Sequence, residues 1–122
     1  MKGLLVFLGG GFGALTRYLL YLALPKETYF PYGTLIANFF GCFIATVFFT
    51  FFIFKSDTDS IYKLLLITGF SGGLSTLSAL SIELTIYIQS GEYLRAAFYI
   101  LTSLLICTIS VILGLALVKK YV

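Results

Sequence analysis

Long runs without charge, separated by short polar segments, constrain this chain more than any other feature of its sequence. Its eight basic and five acidic residues leave four apolar stretches, residues 3–24, 32–54, 64–91 and 96–118, which hold only two charged side chains, Arg17 and Glu83. Each stretch reaches the roughly 20 residues that an α-helix needs to cross a bilayer core. The pattern predicts an all-α membrane protein with four transmembrane helices in a single domain, residues 1–122, and no separate soluble domain.

Composition excludes several classes of function. The chain contains no histidine, which rules out imidazole metal sites and histidine-based acid–base catalysis. Its two cysteines, Cys42 and Cys107, lie within apolar runs and are interpreted as small buried hydrophobic residues. Because the sequence offers no nucleophile–base pair or metal cluster, we do not expect an enzyme. The net charge of +3 forms no basic stripe, so we do not expect a nucleic-acid partner.

Small residues recur at intervals of four in the first two runs. Small side chains at this spacing let helix backbones approach closely in lipid, so we expect helix packing at these positions. Four helices in 122 residues also enclose little interior, which favours an oligomer. The spaced sets are Gly9 with Gly13, Gly10 with Ala14, and Gly33 with Ala37 and Gly41.

The third run contains "TGFSGGLSTLSAL" (residues 68–80), which is unusually polar and glycine-rich for a membrane span. Glycine weakens a helix, and Ser75, Thr76 and Ser78 are residue types that favour a helix N-cap. We therefore predict a helix that ends near Gly72 and restarts near Ser75. A broken helix at membrane depth persists where its freed backbone faces protein or water. Its free carbonyls can hold a cation and its second N-terminus favours an anion, so the break predicts an ion site.

Polar side chains inside the spans need partners, because unpaired polar groups are costly in lipid. Asn38 lies in the middle of the second run, with Thr34 one turn earlier on the same face. Two interpretations of Asn38 remain open, namely a hydrogen bond that joins helices and contact with a ligand. The serines and threonines of the spans can instead bond to their own helix backbone.

Three stretches carry a resemblance to a known family. The segments "GGGFGALTRY" (residues 9–18), "PYGTLIANFFG" (31–41) and "GFSGGLSTLSALSIE" (69–83) resemble, in this order, the signatures of the Fluc/CrcB fluoride channels. The length and the four spans match as well. The resemblance implies a fluoride-selective passive channel in the bacterial plasma membrane that relieves fluoride toxicity. It also implies an antiparallel, dual-topology dimer with two pores, surrounded by membrane lipid.

The resemblance also implies roles for individual residues along the pore. Asn38 corresponds to the pore asparagine whose amide donates to fluoride, and Thr34 lies on the same pore face. Arg17 corresponds to the arginine near the pore vestibule. Ser78 falls on the hydroxyl track of the third helix, and Glu83 matches the glutamate that ends the motif.

Further roles concern a structural cation and the fourth helix. By resemblance, the carbonyls of Gly72 and Ser75 bind a structural sodium ion at the dimer interface, shared by both subunits. Tyr99 and Ser103 correspond to the polar positions of the fourth helix, although no short motif anchors that match.

The chain departs from the family in one place. The family motif reads close to "TTFSTFS", whereas residues 75–81 read "STLSALS". Leu77 and Leu80 therefore replace two phenylalanines that present electropositive ring edges to fluoride, and leucine has no such edge. A homodimer of this chain is expected to conduct poorly. Either a homodimer or a heterodimer with a second four-helix subunit of the family remains open.

Basic residues are distributed unevenly between the two ends of the spans. The excess predicts that both termini lie in the cytoplasm, and it favours the fixed orientation that a heterodimer subunit needs. The terminal side carries Lys2, Lys55, Lys63, Lys119 and Lys120, against Lys26 and Arg95 on the other side, or three residues there with Arg17.

Two other functions are compatible with parts of the pattern. A non-conducting subunit that folds with and stabilises a conducting partner would explain Leu77 and Leu80. Small multidrug transporters are also short, four-span, dual-topology dimers. They depend on a glutamate in the first helix, however, where this chain has only Arg17.

Overall fold

The computed structural model describes residues 1–24, 30–55 and 61–121. Segments 25–29 and 56–60 hold most of the first two connections expected between spans. Those connections, and with them Lys26, lie outside the described residues. Within the described ranges the regular structure is entirely helical.

Four helical segments are long and apolar enough to cross a membrane, as the sequence predicted. The first is α1 (Lys2–Ala23), the second is α2 (Tyr32–Phe54) and the last is α6 (Tyr93–Tyr121). The third span, Ile61–Gln89, consists of α3 (Ile61–Lys63), a π-helical stretch (Leu64–Ser71), α4 (Gly72–Leu74) and α5 (Leu77–Gln89). The chain is therefore a multi-pass membrane protein, and the predicted fold class is confirmed.

The third span is broken, and the break lies slightly beyond the predicted position. Gly72 is still helical, with φ −65° and ψ −34°. Ser75 and Thr76 are extended, with ψ of 150° and 123° respectively. The new helix begins at Leu77 because the Thr76 hydroxyl, as N-cap, accepts a hydrogen bond from the Ala79 amide at 3.2 Å.

The stretch before the break is wound as a π-helix, which nothing in the sequence predicted. The wider turn is accompanied by a side-chain bond, since Ser71 Oγ donates to the Leu66 carbonyl five residues earlier at 2.9 Å. The backbone amide of Gly72 likewise points at the Ile67 carbonyl. Short π-helical segments are rare in proteins, and those that occur are often found at functional sites.

Glycines bring α1 and the third span into backbone contact. A Cβ atom added at Gly9 would overlap the Leu65 carbonyl oxygen, and one at Gly13 would overlap that of Phe70. From the other side, a Cβ at Gly73 would overlap the Gly10 backbone. The predicted close packing through small residues is therefore confirmed here, and Gly73 serves it as well as the first-run glycines do.

The second helix uses its small residues in the same way. Gly33 lies against the Tyr21 ring, and Gly41 leaves room for Ser75, whose Cβ lies 2.7 Å from where a Gly41 Cβ would sit. Ala37, between them, is fully buried. The small face of α2 thus points towards α1 and the break in the third span.

Few large apolar side chains are buried. The core cluster consists of Leu35, Tyr87, Ala96 and Tyr99, and Leu80 packs against it. Most large apolar side chains along the spans are exposed, which fits a surface covered by lipid or by a second subunit. Cys42 and Cys107 are free, half-buried thiols of α2 and α6.

Candidate ion-binding site

Asn38 binds both backbone groups of Thr76 at the break in the third span. Its Oδ1 accepts a hydrogen bond from the Thr76 amide at 2.6 Å, and its Nδ2 donates to the Thr76 carbonyl at 3.2 Å. The side chain is only 8% exposed. Of the two interpretations left open by the sequence, the joining of helices is therefore observed. The amide also carries a second N–H, which remains for a further acceptor.

These bonds leave two carbonyls of the break without their usual partners. In a continuous helix the Gly72 carbonyl would accept from the amide four residues later, which is that of Thr76. That amide donates to Asn38 instead. The Ser75 carbonyl would similarly accept from Ala79, whose amide donates to the Thr76 hydroxyl. The two positions expected to bind a cation are thus the two whose regular donors are captured by side chains.

Arg17 and Ser78 lie on a cleft of about 300 Å³ between α1 and α5, beside the break. Thr76 and Tyr21 line the same cleft. The hydroxyls of Ser78 and Thr76 are hydrogen-bonded to each other at 3.0 Å. Within the described part of the chain Arg17 forms no ion pair, so its positive charge makes this cleft favourable for an anion.

A second polar group lies one helical turn along α2, around the carboxylate of Glu83. Thr34 donates to Glu83 Oε1 at 2.7 Å, and Tyr99 donates to Glu83 Oε2 at 2.5 Å. The Tyr21 hydroxyl lies 3.0 Å from that of Thr34. Thr34 and Tyr99 are fully buried, and Glu83 is partly buried. The predicted residues Thr34, Glu83 and Tyr99 are therefore brought together, with Tyr21 added.

The fourth span supplies one side chain to this cluster rather than a continuous polar row. Tyr99 is held by edge contacts with the rings of Phe30 and Tyr87, at centroid distances of 5.5 and 6.1 Å. Ser103 is buried, but its hydroxyl donates to the Tyr99 carbonyl of its own helix at 2.7 Å. Ser103 thus lies next to the cluster, and its hydroxyl bonds to its own backbone.

Leu77 and Leu80, which stand where the family has phenylalanine, face different surroundings. Leu77 is 76% exposed at the start of α5. Leu80 packs against the core cluster that contains Tyr99. Only Leu80 is thus positioned to line a path within this subunit, whereas Leu77 points outward.

Sequence reasoning missed Tyr21 and did not separate Thr76 from its neighbours. Tyr21 follows Arg17 by four residues, so it shares a helix face with a residue already singled out. Thr76 is the residue three positions before Ala79, the spacing at which an N-cap hydroxyl meets its amide. Both spacings are present in the sequence, but each points to one residue only when its partner on α2 is known, Thr34 for Tyr21 and Asn38 for Thr76.

Comparison with known proteins identifies the family. Residues 4–115 match the family described as CrcB-like protein, Camphor Resistance (CrcB). The chain belongs to this CrcB family. A Fluoride-specific ion channel FluC of Pyrococcus abyssi is 38% identical over 117 residues, which cover 96% of this chain and 95% of that protein.

Two further relatives of the CrcB chain bear similar names. Fluoride-specific ion channel FluC 1 of Yersinia pestis is 43% identical over 99 residues, covering 80% of this chain and 78% of its own. Fluoride-specific ion channel FluC of Nitratiruptor is 38% identical over 117 residues, covering 94% and 90%. The resemblance read from the three sequence segments is therefore confirmed.

Proposed function

We propose that this CrcB chain is a subunit of a passive, fluoride-selective channel. The observation that carries the proposal is the broken third span held by Asn38, in a chain that relatives named as fluoride-specific ion channels match over most of their length. The break provides backbone dipoles and polar side chains at membrane depth without a buried charged side chain at the break itself.

Fluoride is small and strongly hydrated, so it crosses only where donors replace its water. We infer that it approaches through the Arg17 cleft, where the guanidinium and the Ser78 hydroxyl favour an anion. Thr76 connects this cleft to Asn38, whose second N–H is the donor available next. Arg17, Ser78 and Asn38 then follow one another along a single route.

The hydroxyls of Thr34 and Tyr99 serve the anion differently. Both already donate to Glu83, so an anion gains them only when the carboxylate releases them. In this proposal Glu83 holds the two hydroxyls in place between passages and keeps a competing anion out of the cluster. Ser103 supports Tyr99 through the Tyr99 backbone.

A structural sodium ion fits the carbonyls of Gly72 and Ser75. Carbonyl oxygens are suitable ligands for a hard cation, and these two have lost their regular amide donors. When bound, the ion would supply positive charge between the two breaks of a dimer. Replacing sodium by a large organic cation should then weaken dimerisation, which analytical ultracentrifugation in detergent measures; an unchanged dimer constant would remove the ion from the proposal.

We propose an antiparallel dimer as the working assembly. The extensive exposed apolar surface and the outward position of Leu77 support a second subunit, which would receive Leu77. We also propose a bacterial plasma-membrane location in which the termini of this subunit are cytoplasmic, while those of its antiparallel partner lie on the opposite side of the membrane. The supporting observation is that the described lysines all lie at the side of the four spans that also carries the two chain termini. They are Lys2, Lys55, Lys63, Lys119 and Lys120.

A second candidate function is a non-conducting partner subunit. It is favoured by Leu80, which packs a side chain without an electropositive edge against the cluster of Tyr99. In that arrangement a partner bearing phenylalanines would provide the conducting contacts.

The test of the main proposal is fluoride efflux from liposomes, followed with a fluoride electrode after a potassium ionophore is added. The chain is reconstituted alone and together with a phenylalanine-bearing subunit of the family. We expect efflux of fluoride, and no comparable efflux of chloride from chloride-loaded liposomes followed with a chloride electrode. Efflux from neither preparation would overturn the channel, and efflux only with the partner present would favour the second candidate.

A further inference from the structure

An apolar groove lies on the face formed by the C-terminal halves of α2 and α6. Its volume is about 570 Å³. Its walls are apolar and partly open, since Phe49, Ile53, Val111 and Leu115 all line it and are exposed. The groove is separate from the contact between Asn38 and Thr76 and from the cluster around Glu83, because none of those residues lines it.

The groove has the dimensions of one half of a bilayer. On α2 its lining runs from Ala45 to Phe54, which is about 14 Å at 1.5 Å per residue. Half of a bilayer core about 30 Å thick is nearly the same length. The hydroxyl of Thr46, one of the polar groups in the wall, donates to the Cys42 carbonyl of its own helix at 2.8 Å. The groove therefore suits an extended hydrocarbon chain.

The membrane-surface end of the groove carries a positive charge. Lys119 lines the groove there, is exposed, and forms no ion pair with the described residues. Lys55 and Lys63 lie at the same end, with their ammonium groups 4.6 Å from the Phe51 ring and 5.8 Å from the Phe52 ring. This end is thus complementary to a negatively charged headgroup.

Among the described residues, the lysines at this end of the groove are Lys55, Lys63 and Lys119, whereas Asp57 and Asp59 belong to segment 56–60, outside the described residues. Basic pockets between transmembrane helices are the usual sites for anionic lipid headgroups.

We propose that this groove is a binding site for an anionic phospholipid. One acyl chain lies between α2 and α6, and the headgroup phosphate pairs with Lys119. The two features act together, because the groove fixes the chain and Lys119 selects the charge. The site does not depend on fluoride conduction.

Native mass spectrometry of the purified chain in detergent tests the proposal. The dissociation constants of a phosphatidylglycerol and a phosphatidylcholine with identical acyl chains are compared. We expect the anionic lipid to bind about fivefold more tightly, the effect of one lysine near a phosphate. Lys119→Gln should remove that preference. Lys120→Gln, which makes the same change in charge at a position outside the groove, should keep it.

A second variant separates the acyl chain from the headgroup. Val111→Phe places a ring in the groove and should weaken binding of both lipids. Equal affinity of the wild type for the two lipids, or an unchanged preference in Lys119→Gln, would overturn the proposal. So would a Val111→Phe chain that loses its dimer but keeps its lipid affinity, because the groove would then belong to the subunit interface.

Discussion

Two polar groups join α2 to α5, and they do so by different means. At the helix break, the side-chain amide of Asn38 binds the backbone amide and carbonyl groups of Thr76. One turn earlier, Thr34 binds Glu83, and Tyr99 of α6 binds the same carboxylate. The first contact is neutral and gives the Thr76 amide a partner outside the helix, whereas the second brings two hydroxyl groups to one carboxylate.

The difference determines which contact can change during function. The backbone amide of Thr76 lies outside the hydrogen bonds of α5, because Thr76 is the extended N-cap residue of that helix. Its bonds to Asn38 therefore maintain the break itself. The hydroxyls at Glu83 are terminal groups of side chains, and rotation about a single bond can redirect them. The neutral contact is a structural support with one spare N–H, and the carboxylate cluster is the adjustable part.

The largest expected effect comes from Asn38→Ala. The change leaves the buried amide of Thr76 unpaired, at about 1–3 kcal/mol, and removes one of the bonds to the Thr76 carbonyl. Fluoride flux should also fall by about tenfold or more, because the route loses its amide donor. Thermal unfolding in detergent and liposome efflux measure the two effects.

Thr16→Val is the control for this variant. It removes a hydroxyl that, among the described residues, donates to the Phe12 carbonyl of its own helix, and both readouts should stay near wild type. An Asn38→Ala chain that unfolds and conducts like the wild type would show that the helix break forms without the hydrogen bonds between Asn38 and Thr76.

Tyr99→Phe addresses the carboxylate cluster. Loss of a hydrogen bond to a carboxylate should lower the free energy of unfolding by about 1.5–3 kcal/mol. The ring contacts with Phe30 and Tyr87 are kept, so the packing is little changed. Denaturation in detergent gives the value, with Thr102→Val, an own-helix hydroxyl of the same span, as the control. Equal stability of the two variants would mean that the bond to Glu83 contributes nothing.

Gly13→Ala asks whether α1 also supports the segment that precedes the break. The added methyl group would overlap the Phe70 carbonyl, just before α4, and overpacking costs about 1–3 kcal/mol. Gly11→Ala, on the same helix, meets nothing within 4 Å and should be neutral or stabilise by up to about 1 kcal/mol. Thermal unfolding distinguishes them; matching values would leave Asn38 as the main support of the break.

The smallest effect per substituted residue is expected from restoring the rings at Leu77 and Leu80. An aromatic edge contributes about 0.5–1.5 kcal/mol, so the double variant with phenylalanine at both positions should raise homodimer fluoride flux roughly threefold to tenfold per ring. Liposome efflux is the measurement. Leu77→Phe alone should be tolerated because Leu77 is exposed, whereas Leu80→Phe should lower stability. Robust flux from the unmodified homodimer would reject the need for ring edges.

How much the sequence predicts depends on how local each feature is. The four spans follow from run length, because the requirement for apolar residues acts on each helix separately. The break follows from glycines and N-cap residues. Its boundary does not, because the Thr76 amide at that boundary donates to Asn38 of α2, a residue distant in the chain. The π-helical turns of residues 64–71 correspond to no recognisable pattern in the sequence. Tyr21 was missed because a tyrosine in an apolar run gains meaning only beside Thr34.

The glycine contacts between α1 and the third span also bear on biosynthesis. The main helix pairs are α1 with the third span and α2 with α6, so neighbours in the chain are not the principal neighbours in space. At about 5–20 residues per second, translation needs several seconds to supply the roughly fifty residues between Ala23 and Gly73. During this interval we expect the glycine face of α1 to lack its third-span partner, so that lipid or another helix covers it until the third span is made.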